Sequence, residues 1–328
     1  MTTTHPRSEV LRMGPQRAET TRRDYVIGVD LGGTKIRAGI ATRSGELLAD
    51  KRTSTSAAGA DVIEQIHTLI LQLCHENNVT LDQIAATGVG GAGVPDATGT
   101  TFGLAPNLAA LGDIPFSVRL AEVLGHPVTI ENDVNVSALG ELMAGLGQGR
   151  SDFVFISVGT GIGMGIIANG ELLRGYRGAA GEIGFLPLGA DPLDPANHVR
   201  GPLEEVTAGD SVASRFLHTT GSKLSTEDIF TRAENGDPHA LTAIDEEARW
   251  LAAGIASINA VLAPELVVLG GGIGTRPDLL PRITSWLVRF GQPHLTVRVS
   301  ELGHLAPIIG AATIAIHAAD AAQKETSQ

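Results

Sequence analysis

The chain has 328 residues, enough for two domains of ordinary size. Hydrophobic residues make up 43% and charged residues 18%, so a sizeable core can be buried and a disordered regulator is excluded. With 24 Lys and Arg against 36 Asp and Glu, the formal net charge of −12 argues against a nucleic-acid-binding surface. A small phosphate site made from backbone N–H groups and a metal ion stays open.

Cys74 is the only cysteine, which excludes an intrachain disulfide and a four-thiolate zinc site and points to a reducing, cytoplasmic compartment. Residues 1–24 mix Arg7, Arg12, Arg17, Arg22 and Arg23 with polar residues, lack the apolar core of a secretory signal, and read as a disordered tail. No later stretch is long, apolar and uninterrupted enough for a membrane span, so no membrane partner is expected.

Tyr25 to Asp30 is a β-branched run closed by Gly32-Gly33, and with Ile36 to Ala41 it predicts a hairpin; Leu47 to Ala49 adds a third strand. Asp61 and Glu64 are spaced to cap a helix whose apolar positions run from Val62 to Leu73. Ile84 to Val89 reads as a strand, Phe116 to Leu124 as a helix, Val128 to Glu131 as a strand, and Asn135 to Gly145 as a helix. A second hairpin opens at Phe153 to Val158, turns at Gly159-Thr160-Gly161 and returns along Gly163 to Ile167. Residues 189–201, rich in Pro, Asp and Gly, form a loop or lid. Ala240 to Leu262 is a long helix ended by Pro264, Leu266 to Leu269 a strand broken by Gly270-Gly271-Gly272, and Gly310 to His317 a final amphipathic helix. Two hairpin openings about 125 residues apart suggest related halves facing one cleft.

The polar residues cluster at the turns. Asp30-Leu-Gly-Gly-Thr-Lys35 sets a carboxylate at a strand end, then a turn whose bare backbone can wrap a phosphate, while Asp30 could hold Mg²⁺ through water. An ordinary hairpin turn is the alternative. Gly159, Thr160 and Gly161 repeat the arrangement, which makes chance less credible. Glu131-Asn-Asp-Val-Asn135 follows a strand, at the edge where α/β clefts open, so Asp133 is a candidate base; its alternative role is a helix N-cap.

Together these segments resemble the ROK family of sugar kinases and sugar-responsive repressors, within the actin-like ATPase (ribonuclease H-like) folds. The resemblance spans roughly 25–319. It rests on Asp30-Leu-Gly-Gly-Thr-Lys35, Ala105-Pro-Asn107-Leu, Glu131-Asn-Asp133-Val-Asn135, Ser157-Val-Gly-Thr-Gly-Ile-Gly163, Gly181-Glu182-Ile-Gly184, Leu203-Glu204 and Leu269-Gly-Gly-Gly272. It implies an α/β fold of two domains around a central cleft: a small domain over 25–134, with the helix at 310–321 packing back on it, and a large domain over 135–309. It implies ATP as cofactor, held by Asp30, Gly32, Gly33, Thr34, Lys35, Gly159, Thr160 and Gly161, with Gly271 and Gly272 near the adenosine. Asn107, Asn132, Asp133, Glu182 and Glu204 are then the hexose-binding set, with Asp133 the catalytic base and Asp30 the magnesium carboxylate. A homo-oligomer is implied as well.

Many members carry a His after Glu-x-Gly and a three-cysteine zinc cluster before Leu-Glu. Here Phe185 stands in place of the His, and Pro195, Asn197 and Pro202 in place of the cysteines, with His198 the only nearby imidazole, so no zinc is expected. Those departures leave the sugar open, with glucose leading and mannose, fructose, an amino sugar or an N-acylated hexosamine behind it; polyphosphate stays open as donor. Two other readings compete. A DNA-binding repressor would carry a helix-turn-helix domain ahead of the first strand, where 24 residues stand. A silent sugar sensor would have little reason to keep Asp30, Asp133 and both glycine turns.

Overall fold

The computed structural model describes residues 23–55, 59–103 and 115–326. The chain opens with β1 (Tyr25–Leu31), β2 (Lys35–Thr42) and β3 (Leu47–Ser54), followed by α1 (Gly59–Glu76), β4 (Ile84–Gly91) and the short β5 (Val94–Pro95) and β6 (Phe102–Gly103). Then come α2 (Phe116–Leu124), β7 (Val128–Asn132) and α3 (Asp133–Ala144). The second hairpin is β8 (Phe153–Val158) and β9 (Ile162–Ala168), extended by β10 (Glu171–Leu172). Helices α4 (Glu204–Thr207), α5 (Gly209–Thr220), α6 (Thr226–Glu234) and α7 (Pro238–Leu262) lead to β11 (Leu266–Gly270) and α8 (Gly271–Gly274). The chain finishes with α9 (Leu279–Arg289), β12 (Val297–Val299) and α10 (Ala306–Thr326).

The expected strands and long helices are present, with shifted ends. Helix α1 begins at Gly59, so Asp61 lies in its first turn rather than ahead of it. Helix α3 begins at Asp133, earlier than the expected Asn135, because the Asn132 side chain caps it by accepting from the N–H groups of Val134 and Asn135. Helix α10 runs further at both ends than 310–317. Residues 189–201 hold only a 3-10 turn, Pro195–His198.

Two five-stranded sheets share one plan. The first has the order β3-β2-β1-β4-β7 and the second β10-β9-β8-β11-β12. In each, the three strands of the hairpin ribbon pair antiparallel, and two later strands add in parallel beside its first strand. The repeat read from the two hairpin turns is thus a repeat of whole sheets.

Both faces of each sheet are covered, which explains why the central strands are apolar almost throughout. Along β1 the side chains alternate: Ile27, Val29 and Leu31 join the core under α1 and α2, while Val26 meets Ala312, Ala315 and Ala319 of α10. Asp30 shares the Val26 face and projects where that cover ends. In the second sheet, Val154, Ile156, Val267 and Leu269 pack under α5, α6, α7 and α9, while Phe153, Phe155, Leu266 and Val268 pack with α3 and with Ala311 and Ile314 of α10. Helices α3 and α10 therefore form a layer shared by both sheets. Their approach is close at Gly310, where an added Cβ would sit 1.7 Å from the Val136 carbonyl oxygen.

Among the described residues, α10 with its lead-in turn is the one helix long and apolar enough to cross a membrane, and more than half of that stretch is buried inside the fold.

Candidate functional site

In the first sheet, Asp30 is in register with Gly90 of β4, and Gly90 with Glu131 of β7. The carboxyl ends of three parallel strands thus line up and deliver Asp30, Glu131, Asn132 and Asp133 to one edge. The turn after β1 is closed by Gly32 N–H donating to the Lys35 carbonyl at 3.0 Å. Thr55 braces it, donating its hydroxyl to the Gly32 carbonyl at 2.8 Å and its N–H to the Thr34 carbonyl at 3.0 Å. Gly33, Thr34 and Lys35 are exposed, Lys35 at the head of β2.

The second sheet presents a matching edge. Ser157 pairs with Gly163 across the hairpin and with Gly270 of β11, so the turn at 159–161 stands beside Gly271 and Gly272. Gly271 has φ +79° and packs so tightly that a Cβ would meet the Val158 carbonyl oxygen at 2.3 Å; only glycine lets the chain turn there. The Gly159 carbonyl accepts the Gly209 N–H at 2.8 Å, fixing the turn to the start of α5.

Glu182 and Glu204 come from two segments stitched together. Met164 N–H donates to the Gly181 carbonyl at 3.0 Å, docking the first segment on β9, and Leu203 N–H donates to the Gly184 carbonyl at 3.0 Å, docking the second on the first. Glu204 then lies against the phosphate-type turn, its Oε2 accepting from Ile162 N–H at 3.0 Å.

The electrostatics show that these carboxylates share one space. Burial, and then the Asp133 carboxylate, push Asp30 up to about 7, against a smaller opposing pull from Arg37. Asp133 is itself raised by burial, partly offset by the Val134 N–H that its Oδ1 accepts at 2.9 Å. Glu182 is raised by burial, by Asp133 and by Glu204. Asp30 thus neighbours Asp133, and Glu182 neighbours both Asp133 and Glu204, a run of carboxylates that calls for a cation and for hydrogen-bond donors. Among the described residues no group of three or more His, Cys, Asp or Glu side chains could hold a metal by itself. A lone carboxylate of this kind suits Mg²⁺ that arrives with phosphate oxygens and keeps its waters.

Asn107 lies outside the described residues. Asn132 is near the cluster but largely engaged: its Oδ1 caps α3 and its Nδ2 donates to the Gly93 carbonyl at 3.2 Å, leaving one N–H for a ligand. Sequence reasoning assigned no role to Glu131, which is buried and accepts from Asn132 N–H, from Asn135 Nδ2 at 3.0 Å and from Arg174 Nε at 2.5 Å. That last bond ties the end of β7 to the residues that follow β10. Sequence reasoning also missed Arg200, the one arginine of the 189–201 loop, which pairs with Glu204.

A family model described as the ROK family matches residues 26–318. The chain is 30% identical over 312 residues to a glucokinase of Streptomyces coelicolor, covering 88% of this chain and 96% of that one. It is 31% identical over 260 residues to an N-acetylmannosamine kinase of Yersinia pseudotuberculosis, covering 79% and 87%. Among solved structures it is similar to a ROK family glucokinase from Streptomyces griseus in complex with glucose and AMPPNP, with a TM-score of 0.73, 29% identity and coverage of 89% and 99%.

Proposed function

The chain belongs to the ROK family and is a sugar kinase with that family's actin-like fold, and from this premise we propose that it transfers the γ-phosphate of ATP to a hydroxyl of a hexose, glucose first. The observation that carries the reading is the convergence of Asp133, Asp30, Glu182 and Glu204 between two glycine turns at matching sheet edges.

Asp133 accepts the proton of the attacking hydroxyl; its Oδ1 is engaged by Val134 N–H, which leaves Oδ2 for that task. The hydroxyl oxygen bonds to the γ-phosphorus as the bond to the departing ADP oxygen breaks. Glu182, Glu204, Asn107 and the free N–H of Asn132 orient the ring by pairing with its other hydroxyls, since a buried hydroxyl without a partner is costly. The turns at Gly32, Gly33, Thr34 and Lys35 and at Gly159, Thr160 and Gly161 donate N–H, hydroxyl and ammonium groups to the phosphates, with Gly271 and Gly272 beside the adenosine. Asp30 would hold Mg²⁺ through its waters, and the ion would supply charge neutralisation at the phosphates.

In this reading the units over 25–134, with the helix at 310–321, and over 135–309 flank the cleft, and the enzyme works as a cytoplasmic homo-oligomer without zinc, nucleic acid or membrane partners. Internal bonds support the zinc-free loop: Asp194 caps the 3-10 turn at Ala196 N–H, Asn197 Nδ2 donates to the Asp191 carbonyl at 2.9 Å, and a His198 ring nitrogen lies 2.9 Å from the Pro192 carbonyl.

An N-acylhexosamine is the second substrate class, because one relative is an N-acetylmannosamine kinase and because Phe185, half-exposed just after Glu182, offers an apolar surface beside the ring site. A coupled ADP-release assay on purified protein with Mg·ATP and a panel of hexoses and N-acylhexosamines tests both. Hexose-dependent turnover is expected. Binding of a sugar by calorimetry with no ADP release from any of the panel would replace the kinase with a sensor.

A further inference from the structure

The 189–201 loop, which its composition marks only as a lid, is fastened by one side chain. Arg200 donates from Nη1 and Nη2 to the two carboxylate oxygens of Asp210, at 3.0 and 3.1 Å, and from Nε to Glu204 Oε1 at 3.1 Å. Its Nη2 also stands 3.5 Å from the Thr160 carbonyl, at the edge of hydrogen-bond range. The bidentate pair with Asp210 fixes the plane of the guanidinium, and the fixed plane aims Nε at Glu204.

The helix that carries the anchor is bonded from behind. Asp210 sits in the first turn of α5, and the next residue, Ser211, donates to Glu247 of α7 at 3.1 Å, which also accepts from Arg215 at 3.0 Å. Glu247 is fully buried, so α5 is tied down from behind while Asp210 faces Arg200. The Arg200 bonds hold the Asp210 carboxyl below its ordinary range.

Glu204 is thus gripped at both oxygens, Oε2 by Ile162 N–H of the 159–161 hairpin and Oε1 by a guanidinium mounted on α5. We infer that Arg200 is a positioning residue of the hexose site, which presets the Glu204 carboxylate by fixing it to the start of α5. The inference rests on the reading of Glu204 as a hexose ligand. Without Arg200 the Glu204 side chain keeps one anchor, and sugar binding has to order it at the cost of its rotamer freedom and a charge-assisted bond.

The test is steady-state kinetics on Arg200→Ala, Arg200→Lys, Asp210→Asn and Glu204→Gln, with the melting temperature of each followed in parallel. Arg200→Ala is expected to raise the hexose KM about 10- to 50-fold, while kcat and the KM for Mg·ATP change less than about threefold. Arg200→Lys keeps the charge but not the fork, so less than half of that loss returns. Asp210→Asn leaves Arg200 in place and loosens its mounting; a hexose KM raised about 3- to 10-fold is expected, and this variant carries the test if Arg200→Ala does not fold. Three results overturn the inference alone: an unchanged hexose KM in Arg200→Ala and Asp210→Asn while Glu204→Gln raises it, equal losses in both substrate KM values, or full recovery by Arg200→Lys. An unchanged hexose KM in Glu204→Gln removes Glu204 from the sugar site, and the inference falls with it.

Discussion

Replacing Asp133 with Asn tests the base and the shared charge of the cleft together. The amide keeps Oδ1 as acceptor for the Val134 N–H, so the start of α3 and its cap at Asn132 are preserved. It puts an NH₂ where the proton-accepting oxygen stood, and turnover is expected to fall by roughly 10²- to 10⁴-fold, equivalent to about 3–5 kcal/mol of barrier. Hexose affinity stays within several-fold, because shape and most hydrogen bonds persist. A second signature follows from the carboxylate neighbours. Asp133 raises both Asp30, which lies near 7, and Glu182. At lower pH a protonated Asp30 must lose its proton before it can serve the cation, so the KM for Mg·ATP rises as pH falls through 7 in the wild type. In Asp133→Asn one negative charge is gone, and that acid limb moves to lower pH. Single-turnover phosphoryl transfer gives the first quantity and Mg·ATP titrations from about pH 5.5 to 8.5, about 1.5 units either side of the Asp30 value, give the second. Near wild-type turnover would remove Asp133 as base; reduced turnover with an unmoved acid limb would show that Asp30 and Asp133 do not share a field.

Asp30→Asn is expected to stabilise the ligand-free protein at pH 8 by roughly 2–4 kcal/mol, by less than half of that at pH 5 and by little near pH 3, because a carboxyl raised from 3.8 to about 7 binds its proton more tightly when folded and destabilises the fold as pH rises through that window. The same variant should lose most of the rise in melting temperature that Mg·ATP gives the wild type; equal melting of both ligand-free proteins at pH 8 would refute the buried charge. Gly310→Ala places a methyl carbon 1.7 Å from the Val136 carbonyl oxygen and is expected to cost about 3 kcal/mol or more in denaturant unfolding, since both helices of the shared layer must shift; a loss below about 1 kcal/mol would mean that the layer yields easily. Small-angle scattering is expected to show a smaller radius of gyration with the cognate hexose, and ATP hydrolysis without sugar is expected to be slow; an unchanged radius with rapid sugar-independent hydrolysis would count against closure and point to an ATPase.

The parts legible in the sequence are those fixed by short-range chemistry. Apolar runs such as Tyr25 to Asp30 and Phe153 to Val158 can be satisfied only by strands buried on both faces, and the glycine turns that follow them announce themselves. The choice of cap between Asn132 and Asp133 was not legible, because both residue types cap well and only the end of β7 decides which of them stands outside the helix. Nor was the contact of Glu131 with Arg174, 43 positions away, since an ion pair between different sheets has no local pattern. Arg200 was hidden for a related reason. Its partner Glu204 is four residues on, yet helix α4 starts only at Glu204, so the pairing comes from the turn of the loop and from Asp210 on α5 rather than from a helical face. The residues proposed to touch substrate are thus marked by strand ends and glycine, whereas those that hold them in place depend on the docking of whole segments. Arg174 and Arg200 mark the two sides of that docking: one joins the first sheet's edge to the second, and the other joins the 189–201 loop to the start of α5. The closure proposed above would need the first kind of contact to yield while the second holds. Their exposure fits that division, with the Arg174 side chain half-exposed at the boundary between the sheets and Arg200 more enclosed and bonded to two carboxylates.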